Sequence, residues 1–253
     1  MVNKSLISVI ATISVKNLIE INDFIDSWRV YLDDNIELIV CVNNLYGFNQ
    51  KIKKVKVVEF LDNRGMFQFK IQQKKYFAGK QSSSDFLFFI HDRITPKDFL
   101  FFSKLKKYLK LNKPDYLTFI IKNSDGSNSL SPIYMDMNSV LNTSFYSYLN
   151  NLKFSRGCVF SKNHVPSING GAFLISKDSL NYINNNYSWG EMEDQKLTFD
   201  LFLNSKKGSV FTDDFLLTKV YKPSNLKRPS NTRLILHFLI RLVYYKIRLL
   251  TNY

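Results

Sequence analysis

The chain has 253 residues, of which 45% are apolar, enough for one large core and too many for a disordered chain. Its net charge of +14 points to anionic partners: phosphorylated substrates, anionic lipid or nucleic acid. The two cysteines, Cys41 and Cys158, have no Cys-x-x-Cys partner, which argues against a metal or disulfide scaffold and suits a reducing compartment.

Residues 5–13 are β-branched and continuously apolar, as in a strand buried on both faces. The run leads straight into patterned sequence and lacks the small-residue cleavage site of a signal peptide. Residues 17–32 carry Leu18, Ile21, Phe24, Ile25 and Trp28 at helical spacing. Residues 36–42 read as a second buried strand, with Cys41 as a small core residue, and 53–60 as a third strand. A helix over 66–80 precedes a further buried strand at 85–90. This order predicts an α/β domain with a mainly parallel central sheet flanked by helices. Ligands bind such sheets beyond the carboxyl ends of the strands. Those ends fall at Thr12-Ile13, Asn43-Asn44, Leu61-Asp62-Asn63 and His91-Asp92-Arg93.

The second half is less regular. A basic helix is predicted at 97–111, a strand at 115–121, an Asn- and Ser-rich loop region at 122–170, a strand at 171–176 and a short helix at 178–186. From Ser188 a turn leads into a helix that ends near Asn204.

Two stretches could carry chemistry. In Phe88–Pro96 an apolar strand delivers His91 and Asp92 at its carboxyl end. There they could hold a divalent cation on a diphosphate, or form a strand-ending turn with a solvated Asp. The second stretch is Asn169-Gly170-Gly171 before a strand, followed by Trp189-Gly190-Glu191-Met192-Glu193-Asp194. Paired glycines allow close backbone approach. Three acids within four residues suit a cation or a proton transfer, or a helix cap.

In this order the motifs resemble the GT-A glycosyltransferases, family-2-like, of bacterial surface-polysaccharide pathways (capsule, lipopolysaccharide). The resemblance covers roughly residues 5–204. It implies a GT-A-like single domain at 1–220, with a nucleotide-sugar-binding half (1–110) and an acceptor and catalytic half (111–220). It implies transfer of a sugar from a nucleotide-activated donor to a glycan or lipid-linked acceptor, with inversion at a carboxylate base. The donor-binding residues it implies are Thr12, Asn43, Asn63, Arg64, His91, Asp92 and Arg93. Asn43 stands where the family has an acid, and Arg64 could pair with phosphate. The acceptor side falls at Gly170, Gly171, Trp189, Gly190 and Glu191, with Trp189 as a sugar-stacking platform. Asp194 is the implied base and Glu193 orients the acceptor. The family's Asp-x-Asp falls at His91-Asp92-Arg93. His91 and Asp92 are thus the implied ligands of Mn²⁺ or Mg²⁺, while Arg93, in place of the last acid, could supply the charge itself.

The alternatives are a catalytically inactive module on the same fold, or a nucleotidyltransferase. The glycine-free stretch after the first strand counts against the latter. Of the 35 basic residues, eight lie in 219–253, which holds no acid. In this 221–253 tail, Arg233, His237, Arg241 and Arg248 share one helical sector, with apolar residues over most of the rest. The pattern predicts a basic amphipathic helix on an anionic membrane surface, with 222–250 as the contact, and a cytoplasmic, peripheral location. A final helix packed on the domain or on a dimer partner is the other reading. No nucleic-acid recognition motif is visible.

Overall fold

The computed structural model describes residues 6–61, 71–130, 133–136, 164–183 and 193–218. By its internal contacts the chain divides into two units, 1–132 with 166–220, and 133–165 with 221–253. Of the tail nothing lies within the described residues.

Strand β1 (Ile7–Thr12) lies between β2 (Ile36–Val42) and β4 (Phe86–Ile90), parallel to both, and β2 pairs in parallel with β3 (Val55–Glu59). Their continuous apolar runs follow from burial on both faces. Helix α1 (Leu18–Arg29) starts at Asn17, whose side chain accepts from the Glu20 N–H at 3.0 Å. It buries Ile21, Ile25 and Trp28.

The sheet ceases to be parallel after β4. Strand β10 (Ala172–Ser176) inserts antiparallel between β4 and β6 (Tyr116–Asn123). Beyond β6 comes β11 (Gly208–Thr218), parallel to it, and then the short β5 (Ile94–Pro96), antiparallel to β11. The full order is β3-β2-β1-β4-β10-β6-β11-β5, with β7 (Asn128–Leu130) paired to β6. A mainly parallel sheet therefore describes the amino-terminal half, and the whole is mixed. A separate two-stranded sheet joins β8 (Ile133–Asp136) to β9 (His164–Ser167).

Neighbouring residues on a strand feed opposite faces. Phe88 enters the core under α1 and α3 (Phe101–Asn112). Phe89 enters the other core, with Ala78 of α2 (Ile71–Lys80), the 3₁₀ turn Lys177–Ile183, and Leu197 and Leu201 of α4 (Glu193–Leu203). Burial pushes the Cys41 thiol in this second core up to about 11, against the opposing charge of Lys74, which leaves it a packing residue. Gly79 lets α2 close on the 3₁₀ turn, since a Cβ there would lie 2.6 Å from Leu180 Cδ1. Lys177 Nζ donates to the Gly79 and Ser82 carbonyls, each at 2.8 Å, and so holds the carboxyl end of α2.

The first core is strongly aromatic. Phe88 meets Phe119, Phe102 and Phe101 with ring centroids 4.9, 6.1 and 6.2 Å away. Phe88→Ala removes the ring at the centre of this cluster and should cost about 3–5 kcal/mol of stability, read as a lowered midpoint in urea unfolding.

Candidate functional site

Because β10 runs against β4, its amino end meets the carboxyl end of β4. The pair Ala172↔Ile90 closes the ladder, and the His91 N–H extends it by donating to the Gly171 carbonyl at 2.9 Å. The Gly170-Gly171 turn and the His91-Asp92-Arg93 turn are thereby fixed side by side, about 80 residues apart in sequence. The turn is self-supporting: Asn169 Oδ1 accepts from the Gly171 N–H at 3.0 Å.

Helix α4 brings Asp194 onto this turn. Its carboxylate packs on Gly170 so closely that a Cβ there would lie 2.8 Å from Asp194 Cγ and nearer still to Oδ2. Only glycine leaves this space. Thr198, one turn on and fully buried, pins the helix: its hydroxyl accepts from the Ile168 N–H at 2.8 Å and donates to the Asp194 carbonyl at 2.9 Å.

The site is electrically uneven. Burial raises the Asp194 carboxyl above its ordinary range, while the Lys75 ammonium and the Gly170 N–H act against that rise. His91 shifts the other way. Burial lowers it first and Lys75 second, while Asp92 and a bond from the ring to the Gly170 carbonyl partly oppose them. The imidazole is therefore neutral at neutral pH. Asp92 and Arg93 are exposed, with Arg93 Nε 4.0 Å from Asp92 Oδ1.

Thr12 and Asn43 stand on the same edge of the sheet, at the ends of β1 and β2, one and two strands away from β4. Asn43 Oδ1 accepts from the Val15 N–H at 3.0 Å, tying the two strand ends together. Asn63, Arg64, Trp189, Gly190 and Glu191 lie outside the described residues, as does the side chain of Glu193, the first residue of α4. The structure thus gathers His91, Gly170, Gly171 and Asp194, with Asp92 and Arg93 at the rim.

Lys75 escaped the sequence reading. It is 3% exposed on α2, with Nζ 5.1 Å from the centroid of the Phe173 ring. In a Lys-Lys pair it looks like a solvated residue. The signal was the spacing Gln72, Lys75, Ala78, Gly79, which is the buried face of the helix.

The resemblance implies a divalent cation. Among the described residues no three His, Cys, Asp or Glu side chains come together as a ligand set. The exposed Asp92 carboxylate fits a site of the Mg²⁺ kind, in which one or two carboxylates share the ion with substrate phosphates and water.

No family model matches the chain, and no curated protein sequence matches it. Solved structures do. The S. aureus TarS fragment 1–349 superposes with a TM-score of 0.51 at 15% identity, over 84% of this chain and 60% of that one. The same fragment in complex with UDP-GlcNAc gives 0.51 at 14%, over 85% and 59%. The mannosyltransferase PcManGT of Pyrobaculum calidifontis, in complex with GDP-Man and Mn²⁺, gives 0.55 at 10%, over 87% and 59%. The chain has their fold. It spans about three fifths of the length of each structure. Among the described residues no helix is long and apolar enough to cross a membrane.

The Thr198 clamp can be tested apart from any chemistry. Thr198→Val keeps the shape but strands the buried Ile168 N–H, and should cost about 1–3 kcal/mol in denaturant unfolding.

Proposed function

We propose that this protein is a glycosyltransferase that moves a sugar from a nucleotide-activated donor to a glycan or lipid-linked saccharide acceptor, with inversion, in cell-surface polysaccharide synthesis. The observation that carries this is the Asp194 carboxylate seated on Gly170 beside the His91-Asp92-Arg93 turn, at the carboxyl edge of the sheet. Structures of the same fold that hold UDP-GlcNAc or GDP-Man support a nucleotide-sugar donor.

The chemistry asks for two things. The acceptor hydroxyl must lose its proton as its oxygen bonds the anomeric carbon. The bond from that carbon to the diphosphate oxygen must break, with the charge left on the nucleoside diphosphate. Asp194 takes the proton, which in general base catalysis is worth about 10²–10⁴-fold in rate. The exposed Arg93 meets the growing phosphate charge. Asp92 would hold a divalent cation, which would supply further stabilisation of the same charge. Neutral His91 leaves one ring nitrogen able to accept a hydrogen bond from the donor sugar. Thr12, Asn43, Asn63 and Arg64 complete the donor side. Gly171, Trp189, Gly190, Glu191 and Glu193 complete the acceptor side. The basic segment 222–250 places the enzyme on the inner face of an anionic membrane, where a lipid-linked acceptor lies.

The test is a screen of nucleoside-diphosphate sugars with and without Mn²⁺ or Mg²⁺, by thermal shift and then by release of nucleoside diphosphate. One donor should raise the melting temperature and turn over. Asp194→Asn should keep the shift and lose turnover by about 10²-fold or more. Gly170→Ala should behave alike, because its Cβ takes the place of the carboxylate. A protein that binds no donor, or turns one over undiminished in the Asp194 variant, overturns the reading.

A further inference from the structure

Helix α3 buries Phe101, Phe102, Leu105 and Leu109 against the first core. Its opposite face is unlike that of a helix that meets only water. The Leu100 N–H donates to Asp98 Oδ1 at 2.8 Å and the Phe101 N–H to the Asp98 carbonyl at 3.3 Å, so Phe99 and Leu100 already follow the helical spiral. At about 100° per residue, Phe99, Leu100, Ser103, Lys107, Lys110 and Leu111 fall within one sector of about 120°. All six are exposed. Phe99 is 72% exposed, Leu100 46% and Leu111 74%, so large apolar side chains stand in solvent at both ends of a stripe about 18 Å long.

The charge on this face has one sign. No acid occurs between Phe99 and Lys113. Two lysines at the flanks of the stripe are paired, Lys104 with Asp214 at 2.8 Å and Lys106 with Asp33 at 2.6 Å. Lys107 and Lys110, within the stripe, have no ion pair among the described residues. We propose that this face of α3 is a docking surface for an anionic lipid bilayer. The helix lies in the plane of the interface, Phe99, Leu100 and Leu111 enter the acyl boundary, and Lys107 and Lys110 reach the headgroup phosphates. The aliphatic stems of the two lysines lie beside the apolar side chains while their ammoniums rise to the headgroups. The phosphates of a nucleic acid would satisfy the ammoniums but leave three large apolar side chains in water, which favours lipid. The inference stands on this face alone and needs neither the contact proposed for 222–250 nor sugar transfer. Strands β4 and β6 are both antiparallel to β10, and α3 returns the chain to the start of β6. The Phe99 end of the stripe is therefore the end nearer to the His91 turn.

The full chain is sedimented with vesicles of phosphatidylcholine, with and without phosphatidylglycerol. The parent should partition to the anionic vesicles. Lys107→Gln with Lys110→Gln should weaken that partition by about tenfold or more, and Phe99→Ser with Leu111→Ser should weaken it as well. All four side chains are exposed, so these variants should keep the circular dichroism of the parent. A Leu111→Trp probe separates this contact from any made by 222–250: brominated lipid should quench its fluorescence beyond the level seen with the parent's own tryptophans. Vesicle binding equal in parent and variants, with the Leu111→Trp probe unquenched, overturns the proposal. So does a parent that binds no vesicle, or one that prefers nucleic acid to anionic vesicles. A dimer in sedimentation equilibrium that Leu111→Ser disrupts overturns it too, since the face then meets a second copy of the chain. No sugar donor enters these assays, so a protein that transfers no sugar sinks the transferase reading and leaves this one standing.

Discussion

The His91 N–H reaches the Gly171 carbonyl at 2.9 Å, one step beyond the last regular pair of the β4–β10 ladder. Strand β10 is antiparallel to both its neighbours, while β1, β2, β3 and β4 run together. In a wholly parallel sheet, the turn before a strand lies at the opposite edge from the turn after its neighbour. Reversing one central strand brings the Gly170-Gly171 turn to the edge where β1, β2 and β4 end. Two helices attach next to that join: α4 through Thr198, which accepts from the Ile168 N–H, and α2 through Lys75, which lies over the Phe173 ring of β10.

The two cores meet at this place without mixing. Phe88 and Phe89 belong to different apolar layers, and the second layer continues through Phe173 to the ammonium of Lys75. A low-dielectric wall strengthens each charge interaction beside it and raises the cost of a charge left unpaired. Burial and Lys75 accordingly pull Asp194 in opposite directions. This edge is polar at its rim, where Asp92 and Arg93 are exposed, and apolar beneath, where Phe89 stacks on Phe173.

Much of this was legible in the sequence. The buried strands at 36–42 and 85–90 stand within a residue of their expected bounds, because short apolar runs bounded by polar residues have few other solutions. His91 was singled out from a strand end, Gly170 and Gly171 as paired glycines, and Asp194 from a cluster of acids and the family resemblance, and the fold brings them together. What escaped was set by tertiary contacts. The reversal of β10 has no local signature, since an apolar pentapeptide reads alike in either direction. Strand β11 is broken by Thr212-Asp213-Asp214, where its register against β6 shifts between Phe211 and Leu216. The polar break is tolerated because buried Asp214 pairs with Lys104 at 2.8 Å. Lys75 was hidden by its identity, because lysine on a helix is ordinarily solvated.

The join between the two turns is made of main-chain atoms, and this has a consequence for how such a site can diversify. The His91 amide and the Gly171 carbonyl keep their bond whatever side chains follow at positions 92 and 93. Those side chains are exposed. The rim is in effect interchangeable upon a fixed mount. The charge carried at positions 92 and 93 can change without displacing the carboxylate on Gly170. The glycine itself has no such latitude, because any added carbon would occupy the space of Asp194.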